Sequence, residues 1–127
     1  MVQEGRNVMN QRPNEIKIER HGDITLLDIH GDVTAFSEPS LNGAYASAKE
    51  SSPKKIILKF EEAAYINSGG IAVLIQVLAQ TRRNNQKIGI TGLSDHFKKV
   101  FNMVGITKFA TIYPSLQDAL SAMSAMS

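Results

Sequence analysis

The spacing of hydrophobic residues changes period several times along the chain, and each change marks an element. "EIKIER" (15–20) alternates, "HGD" (21–23) offers a turn, and "ITLLDIHG" follows, which predicts an antiparallel hairpin. In "SEPSLNGAYASAKE" the period lengthens. Ser37 can cap, Pro39 suits a first turn, and Leu41, Ala44, Tyr45 and Ala48 share a helical face until Pro53 closes it. "KKIILKF" (54–60) reads as a strand whose consecutive Ile56, Ile57 and Leu58 imply burial on both sheet faces.

A second helix is predicted from Ser68 to Asn84, and "KIGIT" (87–91) as a further strand. In "SDHFKKVFNMVG", Ser94 is a cap, Phe97, Val100, Phe101 and Val104 face inward, and Gly105 is a left-handed stop. "KFATIY" (108–113) reads as a strand. "SLQDALSAM" is a last helix with Ser115 and Asp118 at capping spacing and Leu116, Ala119, Leu120 and Met123 inward, after which the tail frays. The order β-β-α-β-α-β-α-β-α needs crossover connections. It predicts a single α/β domain over residues 15–127, with a mostly parallel sheet of four to five strands, an N-terminal antiparallel hairpin and helices packed on it. Residues 1–14 lack periodicity and read as a flexible tail.

Composition narrows the function more than the fold. The chain has 127 residues, no cysteine, and 14 basic against 12 acidic residues. Disulfides and thiolate chemistry are therefore excluded. A charge of +2 is too balanced for a nucleic-acid binder, and the pairs Lys54-Lys55, Arg82-Arg83 and Lys98-Lys99 read as solvated faces. The start of the chain has no signal-like apolar block, and the longest apolar stretch, Ile71 to Ala79, falls short of the ~20 residues that span a bilayer. These features predict a cytoplasmic protein without membrane insertion.

Catalytic chemistry is thin. His21, His30 and His96 lie far apart without metal-ligand spacing, and are expected in a turn, at a strand end and in a first helical turn. No phosphate-binding glycine loop occurs; Gly89 and Gly92 fit a strand and its exit. "INSGG" is not the G-x-S-x-G nucleophile elbow, and no histidine is placed as a base. The chain reads as a non-enzyme.

One junction remains. In "FEEAAYINSGGIAVLIQVLAQ" a strand gives way to a helix at Ser68, followed by Gly69 and Gly70. Serine here can simply be an N-cap. Glycines in a first turn cost about 0.5–1 kcal/mol each, and they suggest room for another molecule to approach. A helix N-terminus also favours a phosphate dianion, so Ser68 is a candidate phosphorylation site whose new charge a docked partner would feel.

"YINSGGIAVLIQVL" resembles the signature of STAS-domain anti-sigma factor antagonists, an acid-Ser-Ser/Thr-Gly-aliphatic run at a strand-to-helix junction. "GDVT" (31–34) looks like that family's turn, and "GLSDHFKKVFNMVGITKFATIYPSLQDAL" is similar to its downstream half. The resemblance implies a protein that binds an anti-sigma factor serine kinase, is released when phosphorylated at Ser68, and is restored by a serine phosphatase. No cofactor is implied, since ATP belongs to the kinase. Its implied partner-binding residues are Asp32, Thr34, Phe36, Asn67, Ser68, Gly69, Gly70 and Ile71. The chain departs from the pattern at Asn67, Gly69 and Thr34, where the family has an acid, a hydroxyl residue and an Asp. The alternative is a constitutive STAS subunit of a transport or signalling complex, with Ser68 only a cap.

Overall fold

The computed structural model describes residues 14–126. Residues 1–13 of the expected tail, and Ser127, lie outside that range. Asn14 does not hang free: its Nδ2 donates to the carbonyls of His30 at 2.9 Å and Asp32 at 2.8 Å.

β1 (Glu15–His21) and β2 (Ile24–His30) form the predicted antiparallel hairpin, with Ile16 opposite Ile29 and Ile18 opposite Leu27. β3 (Lys55–Lys59), β4 (Lys87–Thr91) and β5 (Thr111–Ile112) then add in parallel, so spatial order equals chain order. The helices are α1 (Glu38–Lys49), α2 (Ser68–Arg83), α3 (Asp95–Met103) and α4 (Leu116–Ser124). This is the α/β domain with an N-terminal hairpin that the periodicity implies.

Side-chain alternation divides the core in two. Leu27, Ile29, Ile56, Leu58, Ile88 and Ile90 point to one face, where Leu41 and Tyr45 of α1, Leu74 and Leu78 of α2 and Phe101 of α3 close over them. Ile24, Leu26 and Ile57 point the other way, under Ala119 and Met123 of α4. Ile56 and Ile57 are both fully buried on opposite faces, as their run predicts.

The start signals hold at Ser94 and Ser115, whose hydroxyls accept from the amides of Phe97 and Asp118. Gly105 is left-handed, with φ +86. Ser37 differs: it makes no side-chain cap for α1, and its Oγ instead accepts from Thr34 N at 3.0 Å. Val104 also differs, because α3 ends at Met103 and Val104 turns out, 45% exposed. The expected strand 108–113 shrinks to Thr111–Ile112. Burying Ile106 winds the chain into a 3-10 turn (Ile106–Lys108) first. The reading of Lys55 as solvated fails as well. Its side chain lies on the α4 face, 3% exposed, with Nζ 2.8 Å from both Asp23 Oδ2 and the carbonyl of Met126. That tie joins Met126, in the stretch expected to fray, to β3.

Candidate functional site

The C-terminal end of β3 delivers the chain to the Ser68 junction, and a second segment is laced to it. Residues 31–37, leaving β2, make a parallel bridge to it between Val33 and Ile66. Val33 N donates to Tyr65 O at 2.9 Å, Asn67 N donates to Val33 O at 3.2 Å, and Tyr65 N donates to Asp32 Oδ1 at 2.9 Å. Thr34 and Ser37 close a reciprocal capping box around the 3-10 turn Ala35–Ser37. The two segments named in the sequence are thus one surface.

The capping role belongs to Asn67, not Ser68. Asn67 is extended and its Oδ1 accepts from Gly70 N at 2.9 Å. Ser68 is the first residue of α2 and is exposed. Its hydroxyl stands at the positive end of a 16-residue helix and is not the group that caps it.

The glycines answer to the chain itself. A β-carbon on Gly70 would lie 2.1 Å from the carbonyl oxygen of Val33, and one on Gly69 would lie 3.0 Å from the Ala35 side chain. The room they make is filled by the 31–37 segment, so the expectation that they leave space for an incoming molecule is corrected.

The eight expected contact residues therefore divide. Asp32, Thr34 and Asn67 spend their side-chain oxygens on the backbone of the junction. Gly69 and Gly70 allow close packing, and Ile71 packs against the core. Ser68 and Phe36, which is 58% exposed, face out. Tyr65, missed in the sequence, joins them at 60% exposure and stands edge-on to Phe97 with ring centroids 6.0 Å apart. The signal was present: an aromatic in a short polar loop just ahead of the serine.

Behind the junction, Glu61 ties the sheet to the 31–37 segment. Its Oε1 accepts from Gly31 N at 2.7 Å, and its Oε2 lies 3.3 Å from His30 Nδ1. The Gly31 amide first, and His30 second, hold its carboxyl below the usual value. His30, at the end of β2 as expected, also brings Nε2 within 3.3 Å of Asp28 Oδ2.

Comparison with known proteins agrees with the fold. The STAS domain family model matches residues 15–119, and the chain belongs to that family. It is 20% identical over 78 residues to the anti-sigma-B factor antagonist of Staphylococcus aureus, covering 61% of this chain and 72% of that one. An anti-sigma factor antagonist from Mycobacterium paratuberculosis superposes with a TM-score of 0.74 at 19% identity, covering 87% of this chain and 94% of that one. The Bacillus cell fate determinant SpoIIAA in its phosphorylated form gives 0.61 at 12% identity, covering 86% and 99%. Among the described residues no helix is long and apolar enough to cross a membrane.

Proposed function

We propose that this chain is a non-catalytic switch protein of the anti-sigma factor antagonist type. It binds an anti-sigma factor serine kinase through the surface formed by Phe36, Tyr65 and the first turn of α2, and phosphorylation of Ser68 releases it. The observation that carries this reading is the position of Ser68, exposed at a helix N-terminus and relieved of the capping role by Asn67. A protein of the same fold that exists in a phosphorylated form adds support. Phosphate adds about −1.5 to −2 charges at pH 7. Buried against a docked partner without a counter-charge, it would cost about 3–5 kcal/mol, roughly two to three and a half decades of affinity.

The test uses the anti-sigma-type kinase of the same cells. With ATP it should add one phosphate to the wild-type chain and none to Ser68→Ala. In titration calorimetry Ser68→Ala should bind like wild type, and Ser68→Asp roughly a hundredfold more weakly. Equal binding by the two variants would end the proposal.

One observation favours the constitutive reading. Asn67 occupies the place of the family's acid and is consumed as a cap, which leaves the serine without the adjoining acid of the resembled pattern. That reading requires that the chain isolated from its own cells never carry a phosphate, which intact-mass measurement across growth conditions decides.

A further inference from the structure

The far end of α2 carries a second feature. Arg82 lies fourteen residues beyond Ser68 on this helix, about 20 Å away at 1.5 Å per residue. There a cleft of about 380 Å³ opens, lined by Arg82, Asn85, Gln86, Lys87, Lys108 and Phe109. We propose that it binds a phosphate-bearing small molecule. The proposal is independent of any role for Ser68.

The lining carries three cationic side chains and no carboxylate. None of the three enters an ion pair among the described residues. Cations at a helix C-terminus ordinarily compensate its exposed carbonyls. Here that account is incomplete. The amide of Asn84 already donates to Gln80 O at 3.1 Å, that of Asn85 to Arg82 O at 3.1 Å, and that of Gln86 to Thr81 O at 3.0 Å. Lys87 and Lys108 moreover belong to β4 and to the 3-10 turn, not to the helix. Three like charges from three elements thus line one opening, and an anion seated there would offset their mutual repulsion.

The side chains suit phosphate. Arg82 has its guanidinium carbon 5.6 Å from the centroid of the Phe109 ring, within cation–π range, and its planar donor fork matches a phosphate group. Lys87 and Lys108 supply mobile point charges. Gln86 is already satisfied, accepting from Tyr45 Oη at 2.7 Å and donating to Pro53 O at 3.0 Å, so it forms wall. Asn85, left-handed with φ 56 at the turn into β4, completes the set. The volume falls within the ~300–1,000 Å³ range of small-molecule sites. With Arg82 already over Phe109, a base-stacking platform for a nucleic-acid strand is not offered.

The experiment is a titration of the full ¹⁵N-labelled chain with inorganic pyrophosphate, against sodium chloride at matched ionic strength. Saturable shifts should centre on Arg82, Asn85, Lys87 and Lys108, with a dissociation constant below about 1 mM. The double variant Lys87→Gln/Lys108→Gln, which changes exposed side chains only, should weaken binding at least about tenfold. Shifts that fail to saturate, spread equally to Lys49 and Lys54, or persist in the double variant overturn the proposal. Binding seen only to vesicles of phosphatidylcholine with phosphatidic acid overturns it in favour of a lipid surface.

Discussion

The carbonyl oxygen of Val33 stands 2.1 Å from where a β-carbon on Gly70 would sit. That approach locks the segment leaving β2 onto the first turn of α2, and it sets the height at which Ser68 is presented. Gly70→Ala must push this backbone apart, and should destabilise the domain by about 2–3 kcal/mol in urea denaturation. Gly69→Ala meets both the Ala35 β-carbon and the Ala35 backbone nitrogen at 3.0 Å, a contact milder than that at Gly70. Alanine's helical advantage of about 0.5–1 kcal/mol opposes that strain, so the change should fall within about 1 kcal/mol of wild type.

What the sequence made legible follows from how local each signal is. The strand at "EIKIER", the caps at Ser94 and Ser115 and the stop at Gly105 depend on neighbours a few residues away, and all appear in the structure, although Ile18 stays 42% exposed. The role of Gly70 depends on Val33, 37 positions earlier, and no periodicity reports such a contact. Lys55 looked like half of a solvated pair, yet its partners Asp23 and Met126 lie at the two ends of the domain. At the junction itself the serine was visible as special, but two hydroxyl or amide side chains in a row could each have capped. Only the geometry assigns the cap to Asn67.

That assignment has a simple consequence for stability. Asn67→Ala removes the acceptor of the Gly70 amide and should cost about 1 kcal/mol. Ser68→Ala should stay within about 0.5 kcal/mol of wild type, because an exposed side chain outside the cap is lost. Paired denaturant melts of the two variants check the order, and a larger loss for Ser68→Ala would return the cap to the serine.

Tyr65 and Phe36 offer the largest apolar surfaces beside Ser68, at 60% and 58% exposure. If a partner docks here, aromatic anchors carry a disproportionate share of its binding energy. Tyr65→Ala and Phe36→Ala should each weaken kinase binding by about 2 kcal/mol, while stability changes by less than about 1 kcal/mol. Calorimetry with the kinase, run beside thermal melts, separates the two effects.

Acid should loosen the sheet ends before the core. The carboxyl of Asp23 is held below its ordinary 3.8 chiefly by the hydrogen bond from Lys55, and that of Glu61 below 4.5 chiefly by the Gly31 amide. A depressed folded-state pKa means the stabilisation is complete above those ordinary values and is lost as pH falls through the lower, folded ones. The fall in stability below about pH 4.5 should therefore be shallower in Glu61→Gln, which no longer binds a proton on unfolding. Urea midpoints from pH 7 down to pH 3 measure it, and an unchanged slope would show that the Gly31 contact does not form in solution.

Phosphorylation can act on a docked partner only if it leaves its own domain folded. At Ser68 the helix N-terminus favours negative charge by about 0.3–1 kcal/mol. Opposing it are the carboxylates near the junction: Asp32, whose Oδ1 is engaged by the Tyr65 amide, and Glu61, engaged by Gly31. Each carboxylate is turned toward the backbone amide that holds it, so the dipole at the helix N-terminus should dominate. Ser68→Asp is then expected to melt at or slightly above Ser68→Ala in low salt, with the gap closing at high salt as the charge is screened. A Ser68→Asp variant less stable than Ser68→Ala by more than about 1 kcal/mol would point elsewhere. Release would then come from loosening of the first turn of α2, and the same variant would lose amide protection at Gly70 and Ile71 even with no partner present.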